Sequence, residues 1–186
     1  ALNSEVFVNF LNKLSGIERY LIPDPYHWGG GTHELRDKGY SNIHADFNKH
    51  PKMKLDRRMN ILIYLNHNWK ESFGGSLELW DKKMLKCEKK IIPIFNRVVI
   101  FNTDDFSFHG NPEPVNCPDK LNTRKSIALY YYTNGRPKEE INPKNGDSGQ
   151  STLFQKRQDE KDDFVTNRVK FKKIFGSVYI RKKEEY

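Results

Sequence analysis

From Gly39 to Thr133 the chain is written in short apolar runs separated by turn residues, and this rhythm limits its folds more than any other feature. The runs are GYSNIHADF, RMNILIYLN, GGSLELWD, RVVIFN, FSFHG and RKSIALYYYT. Each is rich in β-branched or aromatic residues and bounded by Gly, Pro, Asn or Asp, which predicts the strands of an all-β sandwich or barrel. Ahead of them, residues 4–14 place Val6, Phe7, Phe10, Leu11 and Leu14 at helical spacing, with Ser4 as N-cap and Gly16 as stop. LIPDPYHWGGGTHE reads as loop, as does the polar GRPKEEINPKNGDSGQ at 135–150. The expected organisation is one domain over 1–186: an N-terminal helix and glycine-rich loop (1–38), a β core (39–134), and a loop with a basic C-terminal extension (135–186). That extension is too short to bury a core of its own.

Composition narrows the function classes. Charged residues make up 30% and hydrophobic ones 36%, so a polar surface is expected. No apolar run approaches the length of a membrane span, and ALNSEVFVNF lacks the basic and then apolar segments of a signal peptide. A cytoplasmic protein is therefore expected. Cys87 and Cys117 show no C-x-x-C spacing, which argues against a disulfide framework or a cysteine-rich zinc site and for a reducing compartment. The net charge of +8 is uneven: from Lys156 to Tyr186 there are ten Lys and Arg against six Asp and Glu. The stretch RVKFKKIFGSVYIRKK could attract nucleic acid or an acidic glycan, although such runs are more often a solvated face. Asp56, Arg57 and Arg58 add a weak pull toward an anionic or polar target.

The chemistry begins at NIHADF, residues 42–47. In a strand, side chains i and i+2 share a face, so His44 and Asp46 point the same way while Ile43, Ala45 and Phe47 face packing. An H-x-D pair is common by chance, so a third ligand must decide. His27 and His33 lie in the glycine-rich loop, His50 just past the strand and His67 in a turn; none is given a role. His109, in VVIFNTDDFSFHG, sits where one short strand follows another. Two imidazoles and one carboxylate form the facial triad of non-haem Fe(II) oxygenases. Fifteen residues on, Arg124 shares a strand face with Ser126, and an Arg fork beside a hydroxyl suits the far carboxylate of a dicarboxylic keto acid.

The ordered set H-x-D, RRMNILIYLNHNWKESFGGSLELWD, NRVVIFNTDDFSFHG and RKSIALYYYT resembles the iron(II)/2-oxoglutarate-dependent dioxygenases, in their prolyl 4-hydroxylase-like branch. It covers residues 28–133 densely, with GGGTHE and STLFQKR as weaker outer matches. The resemblance implies a mainly β fold with flanking helices, built on a double-stranded β-helix (jelly-roll) core. It assigns His44, Asp46 and His109 to Fe(II), Arg124 to the C5 carboxylate of 2-oxoglutarate, and Tyr64 to the same co-substrate. Ser126 is a weaker co-substrate contact, and Asn60, Leu62, Leu77 and Asn111 are candidate pocket lining. The implied reaction is hydroxylation of an unactivated C–H bond with O2, releasing succinate and CO2, with ascorbate as a candidate reductant.

The implied substrate is a prolyl residue of a protein or peptide, with a small molecule or glycan also open and nucleic acid not favoured. Trp69, Trp80 and Tyr130 to Tyr132 are read as packing, and Gly74 with Gly75 as a turn. Two departures from the family pattern stand out. NPEPVNCPDKLNT lengthens the gap from His109 to Arg124, and Glu34 stands where a tyrosine is often found about ten residues before the H-x-D. The competing readings are a non-catalytic jelly-roll module that retains metal, and a basic protein that binds nucleic acid or glycan.

Overall fold

The computed structural model describes residues 1–144 and 149–157. Most of the basic extension, including RVKFKKIFGSVYIRKK, and part of the 135–150 loop lie outside the described residues. Within them the chain forms two five-stranded sheets whose paired strands are all antiparallel. The larger sheet contains β1 (Ile22–Pro23), β2 (Gly31–Leu35), β4 (Asp56–Tyr64), β7 (Val98–Asn102) and β9 (Arg124–Thr133). Its strands run in the order β1-β9-β4-β7, and β2 also pairs β9. The second sheet runs β10 (Leu153–Phe154), β3 (Ser41–Ala45), β8 (His109–Asn111), β5 (Leu77–Trp80), β6 (Cys87–Ile91). This is the mainly β, jelly-roll architecture expected. Among the described residues no helix is long and apolar enough to cross a membrane.

Alternation gives the two faces of β4 and β9 different work. Met59, Ile61, Leu129 and Tyr131 face outward and meet Val8, Leu11 and Leu21 in one apolar cluster. Helix α1 (Glu5–Ser15) supplies that cover, capped by Ser4, which accepts from the Phe7 amide, and ended by Gly16 at φ 66°. The other face of β4 carries Asn60, Leu62 and Tyr64, and that of β9 carries Arg124, Ser126, Ala128 and Tyr130. Cross-strand pairing puts Tyr64 opposite Ser126, Leu62 opposite Ala128 and Asn60 opposite Tyr130.

The structure departs from the sequence expectations at five places. The glycine-rich loop holds β1 and β2, both laid along β9. Cys87–Ile91 forms β6 although CEKKI has no apolar alternation; hairpin pairing with β5 holds it. FSFHG becomes a strand only at His109, because Asp104 ties the Phe106 amide and the Ser107 hydroxyl into a turn. In α1, Val6, Phe10 and Leu14 are exposed, since they lie on a ridge rotated away from the Val8 and Leu11 ridge that meets the sheet. Strand β3 ends at Ala45, so Ile43 and Ala45 pack as expected but Phe47 does not continue the alternation. Phe47 packs instead against Arg57 and Tyr130.

Candidate active site

His44 and His109 sit opposite one another on the neighbouring strands β3 and β8. Their ring centroids are 4.7 Å apart. Asp46 follows the end of β3 and reaches the same point: Oδ1 lies 3.6 Å from His44 Nε2 and Oδ2 lies 3.3 Å from His109 Nε2. One ligand atom from each of the three residues falls within 4.8 Å of the others. The predicted triad is thus brought together by strand pairing across a long stretch of sequence.

The tautomers are set by backbone. His44 Nδ1 lies 2.7 Å from the Asn42 carbonyl and His109 Nδ1 lies 2.9 Å from the Ser107 carbonyl. A carbonyl only accepts, so each Nδ1 carries a hydrogen and it is Nε2 that is left to turn toward Asp46 and to serve as a metal ligand. Burial alone pushes the Asp46 carboxyl up, but the Arg57 charge, with His109 and His44, holds it well below the usual carboxylate range. Two imidazole Nε2 atoms therefore converge on a carboxylate, a donor set that can hold a cation between them. Nitrogen and oxygen donors without thiolate, three in number, fit a ferrous ion with open positions. Phe101 and Phe154 wall the imidazoles, with centroids 4.9 Å from His109 and 5.4 Å from His44 respectively.

Arg124 sits in the same interior, buried at 5% exposure. Its Nε donates to the Gly75 carbonyl at 2.7 Å and its Nη2 to the Tyr64 hydroxyl at 3.4 Å. Burial lowers its pKa and Tyr64 opposes that. Neither partner is an anion, and a guanidinium keeps its proton, so this buried cation fits an incoming carboxylate. Tyr64 stays a phenol, since burial raises its pKa against the Arg124 charge. Gly75 is required here: its φ is 66°, and a Cβ would stand 2.9 Å from Arg124 Cδ. The lengthened segment after His109 closes this end, with the Gly75 amide bonded to the Glu113 carbonyl and Val115 and Cys117 packed on Trp69.

Between these two ends the inner face is lined by small residues, with Ala128 paired to Gly31 and Ser126 paired to His33. Ser126 and Leu77 are buried where expected, Leu77 in a cluster with Tyr64, Val99 and, partly buried, Leu62. Asn111 shares the face of His109 on β8, and among the described residues its buried Nδ2 has no hydrogen-bond partner. Asn60 is more than lining: its Nδ2 donates to Asp46 Oδ2 at 2.8 Å.

Four residues were missed or read differently in the sequence. His33 lies on β2 in one cross-strand row with Ser126 and Tyr64, while Glu34 faces outward and accepts from Thr123. Arg57 and Arg58 are buried ion-pair partners of Asp46 and Glu140, which overturns their reading as a surface for anionic targets. Tyr130 lies on the site side with its ring against Arg57, rather than in plain packing. His50 is buried against Asp24 at 3.3 Å, and His67 stacks on Phe95; both lie outside the triad.

Residues 30–132, more than half of the chain, match the model of the 2OG-Fe(II) oxygenase superfamily. The chain belongs to this superfamily. Over 80 residues it is 30% identical to the prolyl 3-hydroxylase OGFOD1 of Mus musculus, an alignment spanning 41% of this chain and 14% of that protein. The chain thus matches only about a seventh of that relative's length. Among solved structures, a prolyl 4-hydroxylase of Phytophthora capsici superposes with a TM-score of 0.51 at 18% identity, covering 77% of this chain and 43% of that one. At that identity the likeness concerns the fold. The donor set and the buried guanidinium fit iron and 2-oxoglutarate.

Proposed function

We propose that this oxygenase hydroxylates a prolyl residue of a protein or peptide, with Fe(II) held by His44, Asp46 and His109 and 2-oxoglutarate anchored by Arg124, Tyr64 and Ser126. One observation carries the site assignment: two imidazoles and a carboxylate converge at one end of an interior whose other end holds a buried guanidinium that among the described residues has no anionic partner. When bound, iron supplies the redox centre at which O2 is reduced as 2-oxoglutarate loses CO2 to become succinate, one oxygen atom entering the substrate C–H bond and the other succinate.

The chain's own residues supply the rest. Arg124 offers its terminal nitrogens to a carboxylate, and the Tyr64 hydroxyl, already accepting from Arg124, has its hydrogen left to donate. Asn111 Nδ2, without a partner among the described residues, is a further donor on the face of His109. Ala128 and Gly31 leave a narrow path for a slender diacid. Phe101 and Phe154 exclude water beside the imidazoles. The prolyl assignment rests on the 30% identity to a prolyl 3-hydroxylase and is the finer part of the reading. The unpaired thiols Cys87 and Cys117 fit a reducing compartment such as the cytoplasm.

The test begins without O2. Fe(II) with 2-oxoglutarate should give a visible chelate absorbance in the wild type and none in His109→Ala. Arg124→Ala should raise the 2-oxoglutarate needed by at least about tenfold, the order of one charge-assisted contact, while Fe(II) affinity stays within about twofold. With O2, and ascorbate to keep the metal ferrous, prolyl peptides should stimulate succinate release above free sugars and oligonucleotides. Wild-type absorbance in His109→Ala would overturn the metal site, and equal stimulation by all substrates would overturn the prolyl reading.

A further inference from the structure

Asp46 stands just past the last residue of β3, so the strand ladder does not set where its carboxylate points. A closed ring of contacts does. Asp46 Oδ2 accepts from Asn60 Nδ2 at 2.8 Å and pairs with Arg57 Nη2 at 2.8 Å. Arg57 Nε in turn donates to Asn60 Oδ1 at 2.9 Å. That last bond decides the orientation of the Asn60 amide: its oxygen must face Arg57, and its NH2 must therefore face Asp46. The Arg57 guanidinium is itself fixed, at 1% exposure, with its carbon 3.4 Å from the Tyr130 ring centroid and 4.5 Å from that of Phe47.

Strict alternation would put Arg57 and Asn60 on opposite faces of β4. A bulge between Arg57 and Met59 shifts the register and turns both inward, sending the intervening Arg58 to Glu140.

We propose that Arg57 and Asn60 are positioning residues that hold Asp46 as a one-oxygen metal ligand. Two donors, Asn60 Nδ2 and Arg57 Nη2, engage Oδ2, which also lies 3.3 Å from His109 Nε2. Oδ1, 3.6 Å from His44 Nε2 and without an Asn60 or Arg57 partner, is the oxygen left for the ion. The arrangement keeps the carboxylate from chelating through both oxygens, so one more coordination position stays open for the co-substrate and O2. This rests on the metal site proposed above and goes beyond it in assigning the residues that fix its denticity.

The test reads metal binding directly, using Co(II) as a spectroscopic probe without O2 or turnover. Wild type and His109→Ala establish whether the triad binds the probe at all; failure there would sink the metal site itself. Given wild-type binding, Asn60→Ala should lose about 10- to 100-fold in Co(II) affinity, the range found for groups that orient metal ligands. Its visible Co(II) bands should shift as the carboxylate gains freedom to bind through both oxygens, while a variant retaining the donor, Asn60→Gln, should recover part of both. Tyr130→Leu, which removes the ring under Arg57 without touching a ligand, should weaken binding in the same direction and less. Arg57 is too buried for its replacement to be the deciding variant. Unchanged affinity and an unchanged spectrum in folded Asn60→Ala would overturn the proposal.

Discussion

His33 shows how one residue of offset hides a pocket side chain. Counting back from the H-x-D pair lands on Glu34, which faces outward to Thr123. Its neighbour His33 faces in, across from Ser126, with Nε2 donating to the Gly29 carbonyl at 3.1 Å. Burial lowers the imidazole pKa from its ordinary 6.5, and the Arg124 and Arg57 charges lower it further, against the Gly29 carbonyl and Asp46. Below 6.5 the unfolded chain therefore binds a proton that the native chain refuses. Its contribution is present above that value and is lost as pH falls toward the lowered native pKa. The melting temperature of the metal-free protein should drop on acidification through this window, and His33→Gln should flatten part of the drop. Superimposable pH profiles for the two proteins would show that His33 is not buried neutral. His44, Asp46, His109 and Arg124 were legible because their residue types name their chemistry. His33 was not, since GTHEL carries no strand signature and only pairing with β9 gives it a face.

Elements repeat the lesson at larger spacing. The long apolar strands β4, β7 and β9 were readable by alternation, whereas β1, β2, β6 and β10 are held by their neighbours rather than by propensity. The bulge in β4 was invisible for the same reason: it breaks the period on which the reading depends. The described residues 136–144 and 149–155 are another case. Arg136 is anchored between Asp56 and Asp105 and donates to the Arg57 carbonyl. Gln150 bonds the Asn48 side chain and the Asp46 carbonyl. Then β10 pairs β3 beside His44, and the Gln155 amide donates to the Ile43 carbonyl at 2.8 Å. These contacts strap Arg136, Gln150 and β10 against the edge of the proposed metal site. Gln155→Pro removes the amide hydrogen and should loosen the strap without altering the core. Hydrogen exchange at the amides of β3 and β10 should accelerate, and trypsin should cut after Lys144 faster than in the wild type. Unchanged exchange and cleavage would mean the strap is held without its last ladder bond.

At the scale of the molecule, the larger sheet separates stability from chemistry by face. Its outer side buries Leu11, Met59, Ile61 and Tyr131 completely and is apolar. The inner side carries Asn60, which donates to Asp46, and the Arg124 and Tyr64 pair, and it faces the proposed metal donors His44 and His109 on β3 and β8 of the second sheet; these buried polar groups cost stability until ligands complete them. Two measurements should therefore come apart. Leu11→Ala, which leaves a cavity under α1, should cost about 2–5 kcal/mol and lower the melting temperature. The affinity of the folded protein for metal and 2-oxoglutarate should not change, because α1 reaches only the outer face. Conversely, a redox-inert ion such as Zn(II) with 2-oxoglutarate at a hundredfold excess over its dissociation constant should stabilise the wild type by roughly 2.7 kcal/mol. At ~2–4 °C per kcal/mol for a chain of this size, that is a rise of about 5–11 °C in melting temperature. Leu11→Ala should show the same ligand-induced rise from a lower start. In Arg124→Ala the rise due to 2-oxoglutarate should fall at that same concentration, to about half for a tenfold loss of affinity and further for a larger one, while the rise due to metal remains. A Leu11→Ala protein that melts lower and also loses the ligand-induced rise would show that the two faces are coupled through the sheet, and would remove the division of labour argued here.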